Sequence, residues 1–304
     1  MEQKISVIIP LYNHEKYIER AIKSIQNQTY PVSEVIVIDD GSRDDSGKIV
    51  KEIIKNNSSI KYFYQENAGA HNAINKGIKM AKGDYIAILN SDDVYYDERF
   101  KKMIKGIKDT NADVIFSGID FIDAEEKMIE NAWYCQAKEF YLKNKNLSLA
   151  LINGNFFMTT SNVLIKKAVF DKVGYFSNLR YTHDLDFFLR LITQNLKIEF
   201  LNENLLYYRI HDANTIKENH EKVRREWASI IALFIVENSK KYNMEIKKNI
   251  KEGTELFKII NEHNLTKYVL FFIQNYLFTL NRVEYYEKYL KNEELNNYLI
   301  KINQ

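Results

Sequence analysis

Residues 5–89 alternate between two periodicities, and that alternation constrains the fold more than any other feature of the 304-residue chain. Ile5-Ser6-Val7-Ile8-Ile9 reads as a strand closed by Pro10. Val35-Ile36-Val37-Ile38, Ile60 to Tyr64, and Tyr85-Ile86-Ala87-Ile88-Leu89 repeat the pattern. Between them, Glu15 to Gln28, Asp44 to Lys55 and Ala70 to Ala81 read as helices. In the first of these Tyr17, Ile18, Ala21, Ile22 and Ile25 recur at helical spacing. Strand runs this apolar suit a sheet covered on both faces. Strand, helix, strand with short connections builds a parallel sheet with right-handed crossovers, so an α/β fold is expected.

Two of these strands end in carboxylates. Leu89 is followed by Asn90-Ser91-Asp92-Asp93, and Ile38 by Asp39-Asp40-Gly41-Ser42. Open α/β sheets bind ligands at the carboxyl ends of their strands. Asp92 and Asp93 offer hard oxygen donors there, suited to Mg²⁺ or Mn²⁺, and such an ion would hold a diphosphate. An Asp after the second strand suits a base N–H or a ribose hydroxyl, while Gly41 permits the tight turn. Each acid alone is also explained by an ordinary turn or helix cap. The dinucleotide fingerprint GxGxxG is absent after the first strand, which ends instead in Pro10-Leu11-Tyr12-Asn13.

Composition narrows the class. Lys and Arg number 43 against 41 Asp and Glu, a net +2, which argues against a nucleic-acid binder. Hydrophobic residues make up 45%, enough for a packed core. The single cysteine, Cys135, excludes an intramolecular disulfide and fits a reducing compartment. No signal-peptide pattern precedes the first strand, and no apolar run reaches the ~20 residues of a bilayer span. A cytoplasmic location is expected, with contact at the inner face of the membrane left open.

Beyond residue 113 the pattern loosens. Val114 to Ser117, Ser161 to Ile165 and Leu205 to Tyr208 read as strands, and Asp184 to Gln194 as a helix. From about Glu218 onward only helical spacing is evident. The domain organisation expected is 1–215 for the α/β domain, divided at residue 100, and 216–304 for a helical extension.

Four motifs in order carry a family resemblance: Val7-Ile8-Ile9-Pro10-Leu11-Tyr12-Asn13, Ile38-Asp39-Asp40-Gly41-Ser42, Asn67-Ala68-Gly69 with Ala73, Asn75 and Gly77, and Asn90-Ser91-Asp92-Asp93. Together they resemble the inverting family 2 glycosyltransferases, the type that builds bacterial polysaccharides and related glycans. The resemblance spans roughly residues 4 to 212. It implies a GT-A fold: a mostly parallel Rossmann-like sheet flanked by helices, here with a C-terminal helical extension. It also implies a UDP-sugar donor, a saccharide acceptor that is lipid-linked in some relatives, and Mn²⁺ or Mg²⁺ as cofactor.

The residue roles follow by position from that resemblance. Pro10 and Tyr12 would line the base pocket, Asp40 with Asp39 beside it would meet the uracil edge, and Asn67 and Gly69 would lie near the nucleoside. Asn90 to Asp92 takes the place of the DxD motif, Asn90 replacing its first Asp; Ser91 and Asp92 would face the nucleotide, and Asp92 and Asp93 the metal. In Tyr181-Thr182-His183-Asp184-Leu185-Asp186, Asp184 takes the place of the catalytic base and His183 that of the usual Glu; Asp186 is the competing base. A helix start is expected to keep the Asp184 pKa low. Tyr208-Arg209-Ile210-His211 is similar to the family's Arg-x-His element, so Arg209 would meet phosphate, and His211 phosphate or metal.

Two rivals differ by visible features. A nucleotidyltransferase would carry a Gly- and Arg/Lys-rich loop after the first strand, which Leu11 to Lys16 lacks. A degenerate glycan- or sugar-nucleotide-binding module is made thinkable by Asn90 and His183, while Asp184 and Arg209 speak against it. In the tail, aromatics interleave with lysines, as in Lys267-Tyr268-Val269-Leu270-Phe271-Phe272. Glu284, Glu287, Glu293 and Glu294 dilute any basic face, favouring packing or a homodimer through these helices over peripheral membrane contact.

Overall fold

The structure is a computed structural model, and it describes residues 3–55, 57–214, 218–239, 246–277, 279 and 281–295. The helical reading of 240–245 and 296–304 lies outside the described residues, as does the domain junction at 215–216.

The first segments fall where their periodicity places them: β1 Ile5–Leu11, α1 Ile18–Gln26, β2 Glu34–Asp39, α2 Ser46–Ile54, β3 Ile60–Tyr64, α3 Ala70–Met80 and β4 Tyr85–Ile88. Then come β5 Val94–Tyr95, α4 Arg99–Thr110, β6 Val114–Ile122, β7 Met128–Ile129, α5 Ala132–Asn144, α6 Leu147–Asn153, β8 Val163–Lys166, α7 Val169–Val173, α8 His183–Thr193 and β9 Ile198–Arg209. The tail carries α9 His220–Ser239, α10 Ile246–Glu262, α11 Thr266–Tyr276 and α12 Arg282–Tyr285. Among the described residues no helix is long and apolar enough to cross a membrane.

The chain divides into two compact units. The first comprises Met1–Ala132, Phe157–Arg180 and Gln194–Asp212; the second comprises Trp133–Phe156, Tyr181–Thr193 and Ala213–Gln304.

The first unit holds the whole nine-stranded sheet, in the order β3-β2-β1-β4-β8-β6-β9-β5 with β7 on β6. The strands β3, β2, β1 and β4 are parallel, as their helical crossovers require. Beyond β4 the sheet is mixed: β8 runs antiparallel to β4 and β6, whereas β9 runs parallel to β6. Every residue of β1 and β2 is buried, in keeping with their unbroken apolar runs. Strand β9 is longer than the sequence pattern marks, because exposed Asn202, Glu203 and Asn204 interrupt it. Its register with β6 shifts around Gly118, where a Cβ would meet Asn204 Oδ1 at 2.2 Å.

The second unit is helical. Its buried apolar residues include Leu149, Ala150, Leu151 and Ile152 of α6, Phe187 and Phe188 of α8, Ile230 to Leu233 of α9, and Phe272 of α11. Helix α9 packs against α8 and α11, and α6 against α8 and α10.

Candidate active site

In the first unit, strand ends bring the motif residues to one edge. Strands β1 and β2 are in register through Leu11 and Asp39, so Tyr12 and Asp40 leave the sheet side by side. The loops beyond are knitted together. Asn13, in the left-handed region at φ 51°, donates its N–H to Ser42 Oγ and accepts from Arg43 N–H, and His14 N–H donates to Ser46 Oγ at 2.9 Å.

Asp39 accepts the N–H of Ser42 (2.8 Å) and the Tyr62 hydroxyl (2.6 Å). Asp40 accepts Gln65 Nε2 and Ala68 N–H on Oδ1, and Gly69 N–H on Oδ2 at 2.9 Å. Asp40 thus ties Gln65, Ala68 and Gly69 to the end of β2, and with them the loop through Asn67 that opens α3. Pro10 is buried in β1, while Tyr12 is 43% exposed and presents its ring at this edge.

The run after β4 is anchored from the opposite side. Asn90 gives its N–H to Ser161 Oγ and its side-chain amide to Thr159 Oγ1, at 2.9 and 2.8 Å. Asp93 is buried, taking Ser161 Oγ at 2.6 Å on one oxygen and Arg209 N–H at 3.0 Å on the other. Burial, with Asp92 alongside, pushes its carboxyl well above the ordinary range. Asp92 goes the other way. Burial alone would raise it, but the hydrogen bond to His211 and the fields of His14 and His211 more than offset that and hold it low.

His211 Nε2 lies 3.0 Å from Asp92 Oδ2, and His14 Nδ1 lies 2.7 Å from Ser91 Oγ. The His14 and His211 rings meet edge to face at 5.7 Å, with Tyr17 against both. Burial, followed by the opposing field of Asp92, sets the His14 pKa, and the net shift is downward, toward the neutral imidazole that ligates metals. His14, Asp92 and His211 each offer a ligand atom within 4.8 Å of the others. This donor set fits a divalent cation, and the two atoms that share a proton between His211 and Asp92 are ones a cation would share. Two imidazoles beside one carboxylate move the fit from Mg²⁺ toward Mn²⁺ and later transition metals.

The sequence reading did not single out His14. Its signal was its place: a histidine just past the carboxyl end of β1, on the edge that carries Asp40 and Asp92.

Arg209, on β9, is buried with its guanidinium turned inward. Nε donates to the Asp92 carbonyl (2.8 Å), Nη1 to the Asp123 carbonyl (3.1 Å) and Nη2 to Glu126 (3.0 Å). The cation also lies over the Tyr17 ring at 4.9 Å. Arg209 therefore fixes the backbone of Asp92 and the loop after β6.

In the second unit, His183 opens α8 and Asp184 sits in its first turn. Asp184 Oδ1 accepts the N–H of Leu185 (2.7 Å), and Oδ2 accepts Asn155 Nδ2 (2.9 Å). The helix start does not keep this carboxyl low, contrary to the sequence-based expectation. Burial outweighs these hydrogen bonds and raises its pKa to about 7. Asp186 is 1% exposed and held by Arg190, Arg282 and the Tyr286 hydroxyl.

The chain matches the model of the Glycosyl transferase family 2 over residues 6–174. It is 34% identical over 239 residues to an uncharacterized glycosyltransferase of Rickettsia typhi, covering 75% of this chain and 71% of that one. It is 32% identical over 218 residues to glycosyltransferase GlyG of Streptococcus pneumoniae serotype 4, covering 69% of this chain and 71% of GlyG. The protein belongs to glycosyltransferase family 2, and is an enzyme of that class. Among solved structures, Staphylococcus aureus TarS in complex with UDP is similar in fold, with a TM-score of 0.63 at 22% identity, covering 86% of this chain and 71% of that one. The same protein in complex with UDP-GlcNAc gives a TM-score of 0.61 at 20% identity, covering 88% and 81% of the two chains.

Proposed function

We propose that this protein is an inverting, metal-dependent glycosyltransferase that moves a sugar from a UDP-sugar to a saccharide acceptor. The observation that carries the reading is the His14–Asp92–His211 group at the edge where β1, β4 and β9 end. The fold likeness to TarS, crystallised with UDP and with UDP-GlcNAc, supports a uridine nucleotide as donor.

On this reading the exposed Tyr12 ring stacks on the uracil. The loop held by Asp40 receives the nucleoside through Asn67 and Gly69. A divalent ion held by His14, Asp92 and His211 would neutralise charge on the departing diphosphate. Asp93 and Arg209 act beneath that group, fixing the backbone of Asp92.

Asp184 is the base. It takes the proton of the acceptor hydroxyl while that oxygen attacks the anomeric carbon and the bond to the UDP oxygen breaks; one displacement inverts the configuration. A carboxyl that titrates at about 7 is matched to this task, being ionised in a useful fraction yet basic enough to accept the proton. Asp186 is committed to its ion pairs and holds α8 in place.

The test is release of UDP from a panel of UDP-sugars, with Mn²⁺, with EDTA, and with Asp184→Asn. Mn²⁺-dependent release from one sugar, lost in the variant, is the expected result. If calorimetry detects no UDP-sugar binding and none is hydrolysed, the reading is wrong.

A further inference from the structure

A helix start leaves N–H donors that its own turns do not satisfy. At the start of α8, the N–H groups of Tyr181 and Thr182 and the Thr182 hydroxyl all donate to one oxygen, Oε2 of Glu226, at 2.8, 3.2 and 3.2 Å. Glu226 belongs to α9 in the C-terminal tail, and is only 9% exposed. About three turns further along α9, on the same face, Glu237 receives the guanidinium of Arg282, and Arg282 Nη1 reaches Asp186. One face of α9 thus grips α8 at two places: directly at the helix start, and through Arg282 at Asp186. Asp184 lies between them.

Among the described residues, the charged and titratable groups around this turn are Tyr181 before α8, His183, Asp186 and Arg190 on it, Arg225, Glu226 and Glu237 on α9, Arg282 on α12 and Tyr286 just after α12. Helix α6, packed on α8, spells LSLALIN and carries no charge. Burial dominates the upward shift of Asp184, and the like charge of Glu226 adds to it.

We propose that Glu226 is a positioning residue for the transfer reaction: its carboxylate holds the start of α8 and sets the field in which Asp184 works. The C-terminal helices are then part of the catalytic apparatus. The proposal rests on the reading of Asp184 as base, and its test separates the two.

The full chain is labelled at aspartate Cγ and titrated by NMR, with the Asp184 resonance assigned by its loss in Asp184→Asn. The Asp184 midpoint is expected to fall by on the order of half a pH unit or more in Glu226→Gln, which keeps an acceptor and drops the charge. A midpoint that stays put overturns the proposal. In Mn²⁺-dependent hydrolysis of whichever UDP-sugar of the panel is hydrolysed fastest, Glu226→Ala is expected to lower kcat about tenfold or more with KM little changed. Glu226→Gln should restore most of the kcat and move the acid limb of the profile to lower pH. Unchanged kcat in folded Glu226→Ala also overturns it. Should Asp184→Asn hydrolyse as the unmodified enzyme does, the base assignment fails, while the NMR titration still judges the hold of Glu226 on Asp184.

Discussion

Asp92 and Asp184 both stand just past the end or just inside the start of a regular element, and both are sheltered from water, yet their surroundings drive them in opposite directions. Around Asp92, at the edge of the first unit's sheet, burial is outweighed by the hydrogen bond to His211 and by the neighbouring His14 and His211, so the carboxyl is held low and ready to ligate a cation. Around Asp184, in the helical unit, burial dominates: the hydrogen bonds from the Asn155 amide and the Leu185 N–H do not offset it, the like charge of Glu226 adds a little, and the pKa is pushed up to about 7. The difference shows that a carboxylate's role is assigned by its neighbours and not by its position at an element's end.

Neutralising Asp184 is expected to have the largest effect. Asp184→Asn is expected to lower UDP-sugar turnover about 10²–10⁴-fold, with donor KM nearly unchanged. In the unmodified enzyme the rate should rise through about pH 7 as the base loses its proton, which a pH–rate profile checks. The same variant should stabilise the protein. Below the unfolded-state value of 3.8 the carboxyl is protonated whether folded or not, and nothing is lost. As pH rises to about 7 the unfolded chain releases a proton that the folded one keeps, so stability falls; above that the penalty is constant. Removing it should return up to about 4 kcal/mol at pH 8 and almost none at pH 3.5, read by urea denaturation at both values. Equal effects at the two pH values would show that Asp184 is not raised.

The other arm of the comparison is cut by Asp92→Asn. Mn²⁺ binding, followed by electron paramagnetic resonance of the free ion, should weaken by at least the ~10–100-fold that losing an outer-shell partner costs a metal site. The Asp184 titration should not move. If Mn²⁺ affinity is unchanged, the ion sits elsewhere.

The two regions also differ in how much the sequence discloses. The sheet edge was legible because it is built by local rules: an apolar run followed closely by a turn and acids places Asp40 and Asp92 on one edge without knowledge of distant residues, although β1 runs through Pro10 to Leu11 instead of stopping at the proline. His211 was legible through the Arg-x-His pattern. His14 has no pattern of its own and emerges only when three strand ends converge. Arg209 shows the limit of motif reading, since Glu126 and the carbonyls of Asp92 and Asp123 that take its guanidinium come from two loops far away in the chain. At α8 the sequence marks the helix and the aspartate, but not the burial that raises its pKa. Nor does it mark Glu226, which arrives from more than 40 residues downstream and sits in an otherwise ordinary amphipathic run. Mid-chain segments such as α5 and α6 join the tail's unit with no shift in composition to announce it.

A last contrast tests whether the sheet edge is the more tightly specified of the two regions. Gly41, between Asp40 and the helix that follows, has φ +81°, and a Cβ there would meet the Asn67 backbone nitrogen at 2.9 Å. Gly41→Ala should cost about 1–2 kcal/mol for the left-handed conformation. It should also weaken UDP binding by displacing the Asn67 loop, while Mn²⁺ affinity stays the same. Gly253 lies within α10 of the helical unit, and nothing among the described residues comes within 4 Å of where a Cβ would lie. There the only change is backbone entropy, and Gly253→Ala should stabilise by about 0.5–1 kcal/mol. Opposite signs in paired thermal melts would confirm that the edge demands its glycine where the helix merely tolerates one. A stabilising Gly41→Ala would mean that the loop between Asp40 and Asn67 is looser than its hydrogen bonds imply, and Tyr12 would then have to hold the nucleoside with less help.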